Sequence, residues 1–463
     1  MPAFLFVTVY LLLVLVRPQE YPQMAGAGIP LLPIALVCAL LAWLGSREKR
    51  FDEPQYLILP VFVLMTSLSI ALNGWVGGAV EHFTLFAPSL VAFVVLANST
   101  TTPARMTWAM VVFTGSAALM AIHGVDQKST GVGWTGMPLV DDGRIQYLGI
   151  FSDPNDLAML FVICLPMALF LAARGGLLGV RRLLWLGVAG LLLYGIYLTN
   201  SRGGMLAVAA MLGAFLWLRR GPASALAVAA AGLVMMRLLP SRLNELDVAE
   251  RSASGRVEAW YEGIQMFIGS PLYGVGTGNF TNYHHLTAHN SLVLVLAENG
   301  IIGFGLWFAF IGYCFWMMVR ILRQAPQGSY PGQQWAWDDD DPAGRGREGE
   351  DEGESESEAS APAFDATLEL ALVEQWRRDR AVATTLLVSL VGFASTAFFL
   401  SRSYIILLYL LAAVVVAHST AVRERFPAVP AFRLGGDMIR WVLLASLTAA
   451  GFYVLLRLLL VMS

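Results

Sequence analysis

In the stretch AHNSLVLVLAENGIIG, residues 288–303, the pair His289-Asn290 stands directly before an apolar run, and Glu298 is planted inside that run. An imidazole at a helix N-terminus meets the positive end of the helix dipole, which disfavours its cationic form. A neutral imidazole near pH 7 can accept a proton, the task of a general base. Glu298 lies about two and a half turns further in. A carboxyl group there is expensive and needs a polar cavity, a partner such as an arginine, or a proton of its own.

The frame that positions these residues follows from composition. The chain has 463 residues, 57% of them hydrophobic and only 14% charged, with a mean hydropathy of +0.63. Soluble domains carry about a quarter charged residues. Apolar runs long enough for about 30 Å of hydrocarbon recur throughout. The expected fold is all-α, a polytopic transmembrane helix bundle of about 12–13 spans. The runs extend from 3–17 and 27–45 through 222–239 and 291–319 to 382–400, 404–418 and 438–461. Four regions follow. N-terminal transmembrane helices occupy 1–124, and a catalytic region with a large, partly helical loop (240–290) occupies 125–319. An acidic loop covers 320–381, and C-terminal transmembrane helices cover 382–463. The first run, PAFLFVTVYLLLVLV, has no basic leader and no small-residue cleavage site, so a retained helix is expected. Cys38, Cys164 and Cys314 all fall in apolar runs, which argues against disulfides and cysteine metal sites.

Orientation comes from basic residues in short loops. With the N-terminus in the cytoplasm, Arg47, Lys49 and Arg50 fall on the cytoplasmic side. So do Arg174, Arg181 and Arg182, then Arg219 and Arg220, then Arg423, Arg425 and Arg433. Left on the opposite face are Arg144, Arg202, Arg256, Arg402 and His289. A single arginine at a membrane edge snorkels and means little. Four on the face that the rule leaves poor in basic residues, beside a histidine, point to an anionic ligand. Guanidinium forks match phosphate oxygens and stay charged at any relevant pH.

Within the long loop of that face, GRVEAWYEGIQMFIGSP puts Val257, Trp260, Tyr261, Ile264, Phe267 and Ile268 on one helical face. That is an amphipathic helix lying on the membrane surface or the bundle top, begun by Arg256 with Ser254 as a cap. Gly274, Gly276 and Gly278 follow, without the preceding strand of a nucleotide loop; a hinge over the site is the better expectation. His285 and His289 are four apart, but a zinc site needs a third ligand that the loop offers only at large spacing. His284 and His285 are expected as surface residues. Asp141-Asp142 and Asp153/Asp156 are weak candidates for a metal held on a diphosphate, so no metal and no cofactor are expected. The segment from Trp335 to Asp365 is acidic and poor in aliphatic residues, as expected of a disordered cytoplasmic spacer. Nothing in the charge pattern suggests nucleic acid.

Taken in order, these motifs resemble the O-antigen ligase and polymerase superfamily of bacterial envelope glycan enzymes. His289-Asn290, nine residues, then Gly300-Ile301-Ile302-Gly303 matches the ligases' HN-x9-GxxG pattern. SGRVEAW, SPLYGVGTGNF, TNSRGG and GIFSDPNDLA resemble its other extracytoplasmic signatures. The resemblance implies a multi-pass inner-membrane enzyme whose site faces the periplasm. It implies an inverting, metal-independent glycosyl transfer from an undecaprenyl-diphosphate-linked glycan. The acceptor would be lipid A-core, another glycan or a protein. Carried over by residue, Arg202 and Arg256 bind the diphosphate and His289 acts on the acceptor hydroxyl. Arg402, Arg144, Asn290 and Glu298 join them as substrate-binding expectations, the first two from position alone. A polymerase with the same donor chemistry is the alternative. A transporter would place its charges near the bilayer midplane, where only Glu298 lies.

Overall fold

The computed structural model describes residues 2–24, 28–47, 49–174, 176, 179–228, 230, 246–323 and 366–462, with backbone alone for 246–254, 366–370 and 459–462. Fourteen α-helices are named here, and no strand occurs among the described residues. In chain order they are α1 (Pro2–Val16), α2 (Leu31–Leu44), α3 (Gln55–Leu72), α4 (Val76–Ser99) and α5 (Pro103–Thr130). Next come α6 (Pro154–Ala173), α7 (Val180–Leu198), α8 (Arg202–Arg220), α9 (Leu246–Gly269) and the short α10 (Phe280–Tyr283). The last are α11 (Ser291–Arg323), α12 (Ala366–Ala397), α13 (Ile406–Arg425) and α14 (Leu434–Met462).

The expected all-α polytopic bundle is what the chain forms. Ten of these helices are long and apolar enough to cross a membrane. The difference from about thirteen has a plain origin. Helices α1 and α2, with 15 and 14 residues, fall short of the roughly 20 a crossing needs. They pack on each other and on the bundle. The run expected at 222–239 lies mostly outside the described residues. So does the acidic segment 335–365, whose expected spacer character is therefore not described. Helix α12 already begins at Ala366, well before the expected edge of its span at 382.

Local sequence sets the helix starts near the site. Asp153 caps α6, its carboxylate accepting the Asn155 amide, with Pro154 in the first turn. Ser201 caps α8 by accepting the Gly204 amide. The other helices sheathe α13 and most of α6, with Leu157 to Cys164 and Leu407 to Ala417 almost wholly buried. Arginine–carboxylate pairs tie one end of the bundle together: Arg423 to Glu53 at 3.0 Å, Arg425 to Asp379 at 2.7 Å, and Arg50 to Glu424. The loops around residues 144–156, 198–202, 287–291 and 400–404 meet at the other end. The expected alternation of loops between two faces is thus matched by direct contacts.

Helix α11 is broken at Gly300, whose φ of 60° and ψ of −165° lie where only glycine is comfortable. The break frees the carbonyls of Ala297 and Glu298 and the amides of Ile301 and Ile302 from the helical ladder. The glycine-rich loop takes them up. Val275 and Gly276 donate to the two carbonyls at 3.0 Å, and Ile301 and Ile302 donate to Pro271 and Leu272 at 2.8 and 3.4 Å. Unsatisfied backbone within a membrane costs several kcal/mol per group, by about the measure of a lost hydrogen bond in hydrocarbon. The loop is therefore a clamp on the helix break, and the expected hinge is corrected. A Cβ on Gly274 would lie 2.3 Å from the Glu298 carbonyl carbon, and one on Gly300 2.4 Å from that of Leu272.

Candidate functional site

The site is built around the start of α11. His289 takes a left-handed conformation, φ 46°, which turns the chain into the helix. Asn290 is fully buried and caps the helix, its Oδ1 accepting the amides of Leu292 at 2.8 Å and Val293 at 3.1 Å. Its Nδ2 has no protein acceptor among the described residues, so a buried donor remains beside His289. Ser291 fastens this corner to the α12–α13 turn. Its hydroxyl donates to the Leu400 carbonyl at 2.6 Å and accepts the Arg402 amide at 3.0 Å, while Ser403 donates to the Ser291 carbonyl at 2.9 Å. Thr287 adds a hydroxyl contact to Ser401 at 2.9 Å.

Arg402 is thereby held next to α6, where its Nε donates to Asp156 at 2.5 Å. Burial pulls this guanidinium down, but the Asp156 hydrogen bond and the charges of Asp156 and Asp153 outweigh it and leave the group above its ordinary value. Of the four aspartates rated as weak metal candidates, Asp156 and Asp153 thus have structural work, one in the ion pair and one as the α6 cap.

Arg144 comes from the loop between α5 and α6. Its Nε donates to the Thr199 carbonyl at 2.8 Å and its Nη2 to Asn155 at 3.0 Å. Asn155 in turn donates to Asp153. Arg144 therefore joins the α7 end to the α6 cap beside the other arginines.

Arg256 lies within α9, not at its start, because the helix already runs from Leu246. Ser254 is consequently inside the helix and cannot be the expected cap. The amphipathic face is as expected: Trp260 and Ile264 are buried, with Trp260 against Phe398 and Phe452. Ile268 alone is exposed at the far edge. Helix α9 rests on α11 and α14, which carries Arg256 toward the site. Arg202, exposed in the first turn of α8, stands close enough to act on Arg256. Burial, then the charge of Arg202, push the Arg256 guanidinium below its ordinary value. Neither arginine has a carboxylate partner among the described residues.

His289 registers three of these charges. Burial lowers its pKa first and the nearby Arg256 next; Asp153 opposes them, and Arg402 lowers it again. The net direction is down, so the imidazole is neutral at pH 7. The structure brings together His289, Arg256, Arg202 and Arg402 with Asn290 and Arg144 beside them.

Glu298 is placed differently. It is buried below the corner, accepting from Tyr404 Oη at 2.9 Å and from the Phe280 amide at 3.4 Å. Among the described residues no arginine is one of its hydrogen-bond partners. Asn299 donates to the same Tyr404 oxygen at 2.6 Å and accepts from Thr277 at 2.8 Å. Glu298 thus binds the glycine loop and the α12–α13 turn to α11. His284, expected at the surface, is buried, its ring tilted against that of the exposed His285 with centroids 4.4 Å apart, and its Nδ1 close to the Leu286 backbone. Among the described residues no three His, Cys, Asp or Glu side chains converge as metal ligands.

Residues 187–308 match the family model described as O-Antigen ligase. Over that segment the chain is similar to the O-antigen ligases. No curated protein matches it. The matched O-antigen ligase segment carries Arg202, Arg256, His289 and the Gly300 break. Arg144, Asp153, Asp156 and Arg402 lie outside it, so the site is completed by flanking helices. The serines and tyrosine around Arg402 were not singled out from sequence. Their signal was available: SRSY is a polar cluster between two apolar runs, facing the same end as His289.

Proposed function

We propose that this end of the bundle transfers a glycan from a lipid diphosphate to an acceptor hydroxyl. The observation that carries the proposal is a neutral, half-buried imidazole that feels Arg256 and Arg402, with Arg202 close to Arg256; Arg256 and Arg202 lack carboxylate partners among the described residues. Arg256 and Arg202 would hold the donor diphosphate with their guanidinium forks. His289 would take the proton of the acceptor hydroxyl as its oxygen attacks the anomeric carbon. The bond from that carbon to the diphosphate oxygen breaks on the opposite face, which inverts the centre and leaves the charge on the diphosphate. Diphosphate is a good leaving group, so charge neutralisation matters more than a strong acid. The weak nucleophile is the partner that needs a base. Arg402, already paired with Asp156, would add field at the reacting centre, and the Asn290 amide would orient the acceptor.

The donor is proposed to be an undecaprenyl-diphosphate glycan, and the site to face the periplasm across a bacterial inner membrane. Support for that orientation comes from the basic loops gathered at the opposite end of the bundle. Lipid A-core, a glycan or a protein would serve as acceptor, and no metal would be required. Purified protein with a synthetic prenyl-diphosphate glycan and acceptor tests this: transfer should survive chelator and be lost in His289→Ala. Full transfer by His289→Ala would overturn the base assignment, and inhibition by chelator the metal-free mechanism. Extension of the same donor by one repeat, as in a polymerase, would use these groups unchanged.

A further inference from the structure

The end of the bundle opposite the site holds a cavity of about 550 Å³. Thr100, Thr101 and Thr102 form one wall, leading into the N-terminus of the 28-residue helix α5. Arg174, Arg377, Arg378 and Arg425 face it, against the carboxylates of Glu374 and Asp379 and the buried His418. Two of the arginines are spoken for: Arg378 pairs with Glu374 and Arg425 with Asp379. Arg174 reaches the Thr107 hydroxyl, and neither it nor Arg377 has a carboxylate partner among the described residues. Burial, then the charges of Arg181 and Arg378, push the Arg174 guanidinium below its ordinary value. Thr100 is fully buried, lines the cavity, and its hydroxyl has no partner among the described residues. Helix N-terminus, unpaired guanidinium groups and an orphaned hydroxyl all favour an anion.

A second space adjoins this cavity. Phe170, Ala173 and Ala381 also border this space, of about 420 Å³, between α6, α7, α8 and α12. That groove is apolar, with Leu169, Leu193, Leu212 and Phe215 along it and Arg219 at its end. From the cationic cavity it runs along the spans toward mid-membrane. A charged head space beside a hydrocarbon slot, the two sharing three lining residues, suits one ligand class. We propose that the two spaces together hold a single anionic glycerophospholipid, its phosphodiester at Arg174, Arg377 and the α5 N-terminus and an acyl chain in the groove. The bound lipid would belong to the leaflet opposite the transfer site and would brace α12, whose other end leads into the Arg402 turn.

The test uses the full chain in nanodiscs of phosphatidylcholine and phosphatidylglycerol at about 4:1, a mixture that keeps the anionic lipid in the minority. After release into mild detergent, native mass spectrometry counts the lipids retained. One phosphatidylglycerol should remain per chain in preference to phosphatidylcholine. Arg174→Gln with Arg377→Gln should lower its occupancy about tenfold or more, since each basic side chain near the surface adds to the attraction for anionic lipid. Leu193→Trp, at a half-exposed position in the groove, should lower it comparably while every cation stays in place. Leu212→Trp is the second variant should the first not fold. Equal retention of the two lipids would overturn the proposal, as would unchanged phosphatidylglycerol in the arginine variant. Unchanged occupancy in both tryptophan variants would mean that only a phosphate head is held, and would overturn the lipid assignment.

Discussion

Gly300→Ala should separate a packing role for the GxxG motif from the clamp described above. The residue has φ 60° and ψ −165°, and a Cβ there would sit 2.4–2.6 Å from the Leu272 carbonyl and the Tyr273 nitrogen. Holding an L-residue in that region costs about 1–3 kcal/mol. The clash must also push the loop away, and each interloop hydrogen bond lost adds roughly 0.5–1.5 kcal/mol. The substitution should therefore destabilise the protein by about 3–5 kcal/mol, lowering the unfolding temperature by on the order of 3–5 °C for a chain of this length. Thermal unfolding in detergent, followed by size-exclusion chromatography, would measure it. Gly305→Ala is the internal control. Its Cβ meets nothing within 4 Å, so a gain of about 0.4–1 kcal/mol is expected from reduced chain entropy. Gly274→Ala attacks the same clamp from the loop side, and its effect should be less than additive with Gly300→Ala because both break one contact. Equal unfolding temperatures for Gly300→Ala and wild type would refute the clamp.

The chemistry yields three further expectations. Arg256→Lys should lose most of its transfer, about tenfold or more in rate, because a point charge cannot reproduce the bidentate fork; an unchanged rate constant with purified donor would remove Arg256 from the diphosphate site. A general base works only when unprotonated, so activity should be present above the His289 pKa and fall as pH drops through it, below the ordinary histidine value of about 6.5. Asp153→Asn, which preserves the α6 cap, removes the negative charge that raises the His289 pKa. Its acid limb should move to lower pH than wild type, and a move to higher pH in the rate profile would contradict the assignment.

Much of the fold was legible because apolar run length is a strong signal in a membrane chain. Of the two helices that fall short, α2 is shorter than its expected run 27–45 because the helix begins only at Leu31, whereas α1 has the length of its expected run 3–17, which is itself under a full crossing. At the site, residue type and face sufficed for His289, Arg202, Arg256 and Arg402. What single-sequence reading could not supply was pairing across distance. Asp156 meets Arg402 across 246 positions and Tyr404 meets Glu298 across 106, and no periodicity encodes such contacts. The glycine loop was misread as a hinge for the same reason. Its partner is a break inside α11, and the free carbonyls there exist only once the helix is folded.

The most direct test of the account is the pool of undecaprenyl-linked glycans in cells whose only copy of the protein carries His289→Ala, with membrane insertion verified. The account predicts that glycan donor accumulates on the lipid, as long polymers for a ligase or as single repeat units for a polymerase. A lipid-linked pool identical to wild type would contradict glycan transfer at this site.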